Sequence, residues 1–210
     1  MKSEGNSQSF VERYLTAKNV TYFAILLALV IVLQLFGSVI KIGATTLSFV
    51  LVPIVLCGMI LGPVWAGGLG FIFGVIVYLQ GLFGADPFTA VLIADHPFIT
   101  AAVCLGKGLL AGLASGYIYK ALKGKNETLA SFVSAVICPV VNTSLFVIGA
   151  LFMSDTLNAN FVKSGQTVIY FLVIVCAGIN FLIELGINIV CAPAILRITK
   201  IIEKNVKERG

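Results

Sequence analysis

The stretch Ile179-Asn180-Phe181-Leu182-Ile183-Glu184-Leu185-Gly186-Ile187-Asn188 carries Asn180, Glu184 and Asn188 at four-residue steps in an otherwise apolar sequence. That spacing stacks side chains on one face of an α-helix, so the segment reads as an oily helix with a single polar stripe. The surrounding apolar run extends from about Thr167 to Leu196, well beyond the ~20 residues that a membrane crossing requires. A carboxylate inside such a helix costs roughly 2.5–3.5 kcal/mol on insertion scales, so it is expected to face protein or water and to have a role.

Composition agrees. Of the 210 residues, 59% are hydrophobic and only 11% charged, against roughly a quarter charged in soluble domains. Mean hydropathy is +1.06. Long apolar runs without period-2 alternation argue for helices over an outer-membrane barrel. The first run begins near residue 19 and continues past residue 36 with no small-x-small cleavage signal after it, so it is expected to be a retained span. Five cysteines stand singly in apolar segments without CxxC spacing, which predicts buried, inert thiols.

Walking outward gives six predicted spans: Val20–Ile40, Leu47–Leu61, Val64–Leu82, Phe98–Tyr119, Thr128–Met153 and Thr167–Leu196. The predicted fold is thus an all-α integral membrane bundle of six transmembrane helices over residues 19–198. A polar lead-in (1–18) precedes it and a basic tail (199–210) follows. Six crossings put both termini on one side. That side holds 11 of the 14 basic residues, from Lys2, Arg13 and Lys18 to the Lys120–Lys125 loop and the Arg197–Arg209 tail. The positive-inside rule makes this side the cytoplasm of a multi-pass cell-membrane protein. Glycines at four-residue spacing in spans 2 to 4, such as Gly108, Gly112 and Gly116, predict close helix packing.

A rise of 1.5 Å per residue converts sequence position into depth. Lys107, Asn142 and Glu184 each fall about 18–21 Å above the basic side, with Asn180 near 24 Å and Asn188 near 12 Å. A cation, an amide and a carboxylate from three spans therefore share one plane. The arrangement is either a buried structural ion pair or the lining of a polar cavity. Asn180, together with Thr143 and Ser144 beside Asn142, supplies more hydrogen-bonding capacity than one ion pair needs, which favours a cavity for a small polar ligand. Asn188 is expected to make a helix-packing hydrogen bond. His96, between Asp95 and Pro97, reads either as a solvated loop residue or as a lid contact. No second histidine or thiolate cluster lies at metal-ligand spacing, and no GxSxG, Walker A or dinucleotide fingerprint is present. The sequence predicts neither an enzyme nor a cofactor.

The chain resembles the substrate-binding (S) components of energy-coupling factor (ECF) vitamin transporters along essentially its whole length. Ala24-Ile25-Leu26-Leu27-Ala28 in the first span reproduces that family's AxxxA motif. Cys138-Pro139-Val140-Val141-Asn142-Thr143 and the Asn180–Asn188 segment are similar to the subgroup that includes predicted pantothenate carriers. The resemblance implies a membrane subunit that captures a vitamin near its outer face, docks on a membrane scaffold driven by two cytoplasmic ATPases, and topples to release its ligand inward. Ala24 and Ala28 would form the docking face. The connection Lys41–Thr46 and the loop Phe83–Pro97 would act as lids, which makes Thr45, Asp95 and His96 rim residues. Lys107, Asn142, Asn180 and Glu184 would bind substrate. Pantothenate suits this set through its carboxylate, amide and hydroxyls. Glu184 keeps riboflavin or an amine-bearing vitamin open as ligands. A self-sufficient proton-coupled transporter and a purely structural membrane protein are the readings from other classes.

Overall fold

Gly62 adopts a φ of +100°, a conformation that costs little without a Cβ, and Pro63 starts the next helix at its first turn, where the missing N–H is no loss. This turn organises one end of a helical bundle. The computed structural model describes residues 17–37, 41–42, 45–46 and 49–207. The order is α1 (Ala17–Gly37), a two-residue-per-strand hairpin of β1 (Lys41–Ile42) and β2 (Thr45–Thr46), α2 (Leu51–Ile60), α3 (Pro63–Leu82), α4 (Pro87–Asp95), α5 (Pro97–Leu122), α6 (Glu127–Leu151), α7 (Ser154–Asn160) and α8 (Val168–Tyr170). Without a break, α8 continues into a π-helical segment, π1 (Phe171–Gly178), and then α9 (Ile179–Lys207). In the hairpin Lys41 pairs with Thr46 and Ile42 with Thr45, antiparallel.

Among the described residues, five helices are long and apolar enough to cross a bilayer: α1, α3, α5, α6 and the rod from Val168 to Ile202. The second predicted span is shorter than expected. The helix α2 has 10 residues, about 15 Å of rise, half the ~30 Å hydrocarbon core. The directions of the helices follow from their contacts. Phe23 of α1 stacks on Trp65 at the start of α3, and Gln34 of α1 reaches Gln80 near the end of α3, so α1 and α3 run parallel. The chain between them returns through the hairpin and α2. Gly70 and Gly74 of α3 meet Gly108 and Cys104 of α5, an antiparallel pair. Ser134 donates to the Ser115 carbonyl, setting α6 against α5. Ser131 donates to the Ala192 carbonyl and Lys200 pairs with Glu127, setting α9 against α6. Ala17 and Lys200 therefore lie at the same end of the bundle, here called the basic end.

The expected glycine packing is a backbone-to-backbone seam. A Cβ on Gly70 would run into the Gly108 carbonyl, one on Gly112 into the Ala66 carbonyl, and one on Gly116 into Pro63. Only glycine lets α3 and α5 approach this closely. Large apolar side chains such as Ile25, Leu182 and Val190 point outward, as a chain solvated by lipid requires.

At the opposite end, two stretches expected as loops contain helices. Residues Pro87–Asp95 form α4, begun by Asp86, whose Oδ1 accepts from the Phe88 N–H, with Pro87 in the first turn. Ser154–Asn160 form α7. Both pack on the end of α6 and on π1 through a core of Phe88, Leu92, Met153, Leu157, Phe171 and Leu172, closing this end with a cap. Residues 199–207 of the basic tail continue α9, whereas residues 1–16 of the lead-in lie outside the described residues.

Candidate substrate cavity

Beneath the cap lies a cavity of about 90 Å³. Its wall takes Gln34 from α1, Phe73 and Val77 from α3, Lys107 from α5, Asn142, Thr143 and Phe146 from α6, Cys176 and Ala177 from π1, and Asn180, Phe181 and Glu184 from α9. Asp86, Phe88 and Thr89 close it from the cap side. The depth reckoning placed Lys107, Asn142 and Glu184 on one level, and the fold brings all three, with Asn180, to one space.

Each polar group is held differently. Lys107 is half-buried, with its Nζ 5.2 Å from the centroid of the Phe146 ring, a distance at which the ring face attracts the ammonium. Asn142 is buried and its Oδ1 has no hydrogen-bond partner, an arrangement that costs about 1–3 kcal/mol unless a ligand or water supplies a donor. Asn180 donates from Nδ2 back to the Cys176 carbonyl at 3.4 Å, at the junction of π1 with α9. Glu184 is buried at 7% exposure, and its backbone carbonyl accepts from Asn188 Nδ2 at 2.8 Å. Asn188 does not line the cavity; it braces the helix that carries Glu184.

Contributors of three kinds were not anticipated. Asp86 lines the cavity while its carboxylate caps α4, accepting from Phe88 N–H and from Thr89 Oγ1. Gln34 donates to Gln80 Oε1 at 2.8 Å and leaves its own Oε1 buried without a partner. Phe73, Phe88, Phe146 and Phe181 supply aromatic surface. The Asp-Pro pair ahead of an apolar stretch is a helix-start signal that would have placed Asp86 at the cap. A lone glutamine in each of two apolar spans would have pointed to the Gln34–Gln80 pair.

Two of the expected lid or rim residues, Asp95 and His96, belong to the cap and not to the cavity wall. Asp95 Oδ2 accepts from Thr156 Oγ1 at 2.7 Å, and His96 Nε2 lies 3.1 Å from Asp155 Oδ1. Together they fasten the α4–α5 junction to α7, above the cavity and not on its wall. The backbone of Thr45 belongs to β2, and its side chain lies outside the described residues. Ala24 and Ala28 are both exposed on the outward face of α1, opposite its buried Leu26–Val30–Gln34 face. Among the described residues no three His, Cys, Asp or Glu side chains come together to hold a metal ion.

A multi-helix bundle with a polar cavity under a cap narrows the class but does not name it. The model of the family described as "ECF transporter, substrate-specific component" matches residues 18–196. The chain belongs to this family. No curated protein and no solved structure matches it. As an ECF S component it is a multi-pass membrane protein and the substrate-binding subunit of a transporter, working with the other subunits of an ECF module. The match covers every residue that lines the cavity.

Proposed function

We propose that this S component captures a small carboxylate-bearing vitamin, best represented by pantothenate, in the cavity beneath the α4–α7 cap, and delivers it by docking on a membrane scaffold driven by two cytoplasmic ATPases. The observation that carries this reading is the meeting of Lys107, Asn142, Asn180 and Glu184 in one buried space. Lys107 pairs with the carboxylate, giving a charge-assisted bond. Asn142 and Asn180 hold the amide, and Asp86 and Glu184 accept from hydroxyls. The cap is the lid, closed by the Asp95–Thr156 and His96–Asp155 contacts. Ala24 and Ala28 form the docking face, because a smooth small-residue surface permits contact that is made and broken. The excess of Lys and Arg at the basic end supports a cytoplasmic location for both termini.

Native mass spectrometry of the purified chain, followed by titration calorimetry with pantothenate, tests the reading. A co-purifying or added pantothenate bound one-to-one is the expected result, and no binding in nanodiscs overturns the ligand assignment. The burial of Glu184 favours a second reading, proton-coupled transport by the chain alone. Uptake into liposomes that needs a proton gradient and no partner subunits would establish it.

A further inference from the structure

The polar cavity by itself is smaller than ordinary small-molecule sites. Small-molecule sites run from roughly 300 to 1,000 Å³, whereas this cavity holds about 90 Å³. Next to it, between α6 and π1, lies an apolar groove of about 370 Å³. The two spaces share Thr143, Ala177 and Phe181 as a common wall. Two of those side chains are small, and the third is a half-buried ring that turns about two torsions. The groove's far side is hydrocarbon, from Val147 on α6 to Val173 on π1.

The backbone of this wall is also unusual. π-Helical geometry is rare, and its usual single-turn bulges are frequent at functional sites; π1 covers eight residues. At its end a Cβ on Gly178 would come within 3.1 Å of the Val173 carbonyl. This glycine, where a side chain would crowd that carbonyl, also lines the groove. A second apolar groove, between α5 and α6, meets the cavity only at Lys107. A ligand entering there would displace the ammonium from Phe146.

We propose that the α6–π1 groove is an apolar subsite of the same binding site, taking the hydrocarbon part of an amphiphilic substrate whose polar part sits at Lys107 and Asn142. Phe181 swings aside to join the two spaces. The substrate class is then a molecule with a carboxylate or similar polar head and a branched or ring-bearing apolar body. The inference rests on the proposed capture function but does not depend on pantothenate as the ligand.

The test uses the full chain in nanodiscs, with pantothenate and 6-phenylhexanoate as probes in calorimetry. Val147→Trp and Val173→Trp fill the groove from opposite sides, and Ala102→Trp fills the α5–α6 groove as a control. Loss of affinity of about tenfold or more for either probe in both groove variants, with Ala102→Trp unchanged, is expected. If pantothenate binds wild type and the groove variants alike, the subsite is overturned and the capture function stands. If 6-phenylhexanoate alone binds, with the expected sensitivity, the subsite stands and pantothenate is rejected. If neither binds, both fail. Should the groove variants fold poorly, Phe181→Ala is the second variant: it opens the wall, and weaker or unchanged 6-phenylhexanoate binding there overturns the subsite. A phospholipid that native mass spectrometry finds retained beside bound probe, and lost in Val173→Trp, assigns the groove to an acyl chain and also overturns it.

Discussion

The Lys107 ammonium and the Phe146 ring face each other across the α5–α6 contact at 5.2 Å, and the unpartnered Oδ1 of Asn142 lies one helical turn along α6 from that ring. These two features make opposite demands on stability and binding. Lys107→Met is expected to weaken binding of a carboxylate ligand by about 10- to 150-fold, the range of a hydrogen bond to a charged group. Phe146→Leu should cost less, because a cation–π contact contributes about 0.5–2 kcal/mol. Calorimetry on both variants checks the order.

Asn142→Leu should separate folding from function. It removes a buried carbonyl that lacks a donor, so the melting temperature in detergent is expected to rise while ligand binding is lost. A variant that melts lower and still binds would show Asn142 to be part of the scaffold.

Gly108→Ala and Gly68→Ala should move stability in opposite directions. The first pushes a methyl group into the Gly70 carbonyl, and backbone cannot yield as a side chain does. The second meets nothing within 4 Å and relieves the helix of a glycine, a gain of about 0.5–1 kcal/mol. Thermal unfolding of the two single variants gives the signs.

The latch on the cap has a pH dependence. The backbone N–H of Thr156, then the His96 side chain, hold the Asp155 carboxyl below its ordinary value of 3.8. A carboxyl depressed in the folded state contributes stability above that ordinary value and loses it as pH falls through the lowered one. The contribution of Asp155 to the cap is therefore expected to be present above that ordinary value and to be lost only in stronger acid. Asp155→Asn should speed amide hydrogen exchange across Ser154–Asn160 at neutral pH. Unchanged exchange would remove the latch from the account.

Ala24→Trp should leave ligand binding intact and block co-purification with scaffold and ATPase subunits, since the side chain projects from the exposed face of α1. Normal assembly would exclude that face as the docking surface.

Counting residues along apolar helices was enough to bring Lys107, Asn142 and Glu184 to one level with Asn180 about a turn above, because charged and amide groups in lipid-length helices converge to escape hydrocarbon. Periodicity did not reveal the cap. Helices α4 and α7 are short and lie in polar surroundings, so only the Asp86-Pro87 capping signal betrays the first of them. It also did not reveal π1: a five-residue turn leaves no mark in a run such as Phe171-Leu172-Val173-Ile174-Val175, where every position is apolar. The brevity of α2 was hidden for the same reason, since Phe49, Val50 and Leu61 are apolar but lie outside the helix.

The rod from Val168 to Ile202 is a single object about 50 Å long. Glu184 at the cavity and Lys200 at its bridge to Glu127 are two marks on it, about 24 Å apart. The rod therefore joins the cavity wall to the Lys200–Glu127 bridge with no loop between them. Pro193, which breaks one rung of the hydrogen-bond ladder, supplies a yielding joint between the two marks.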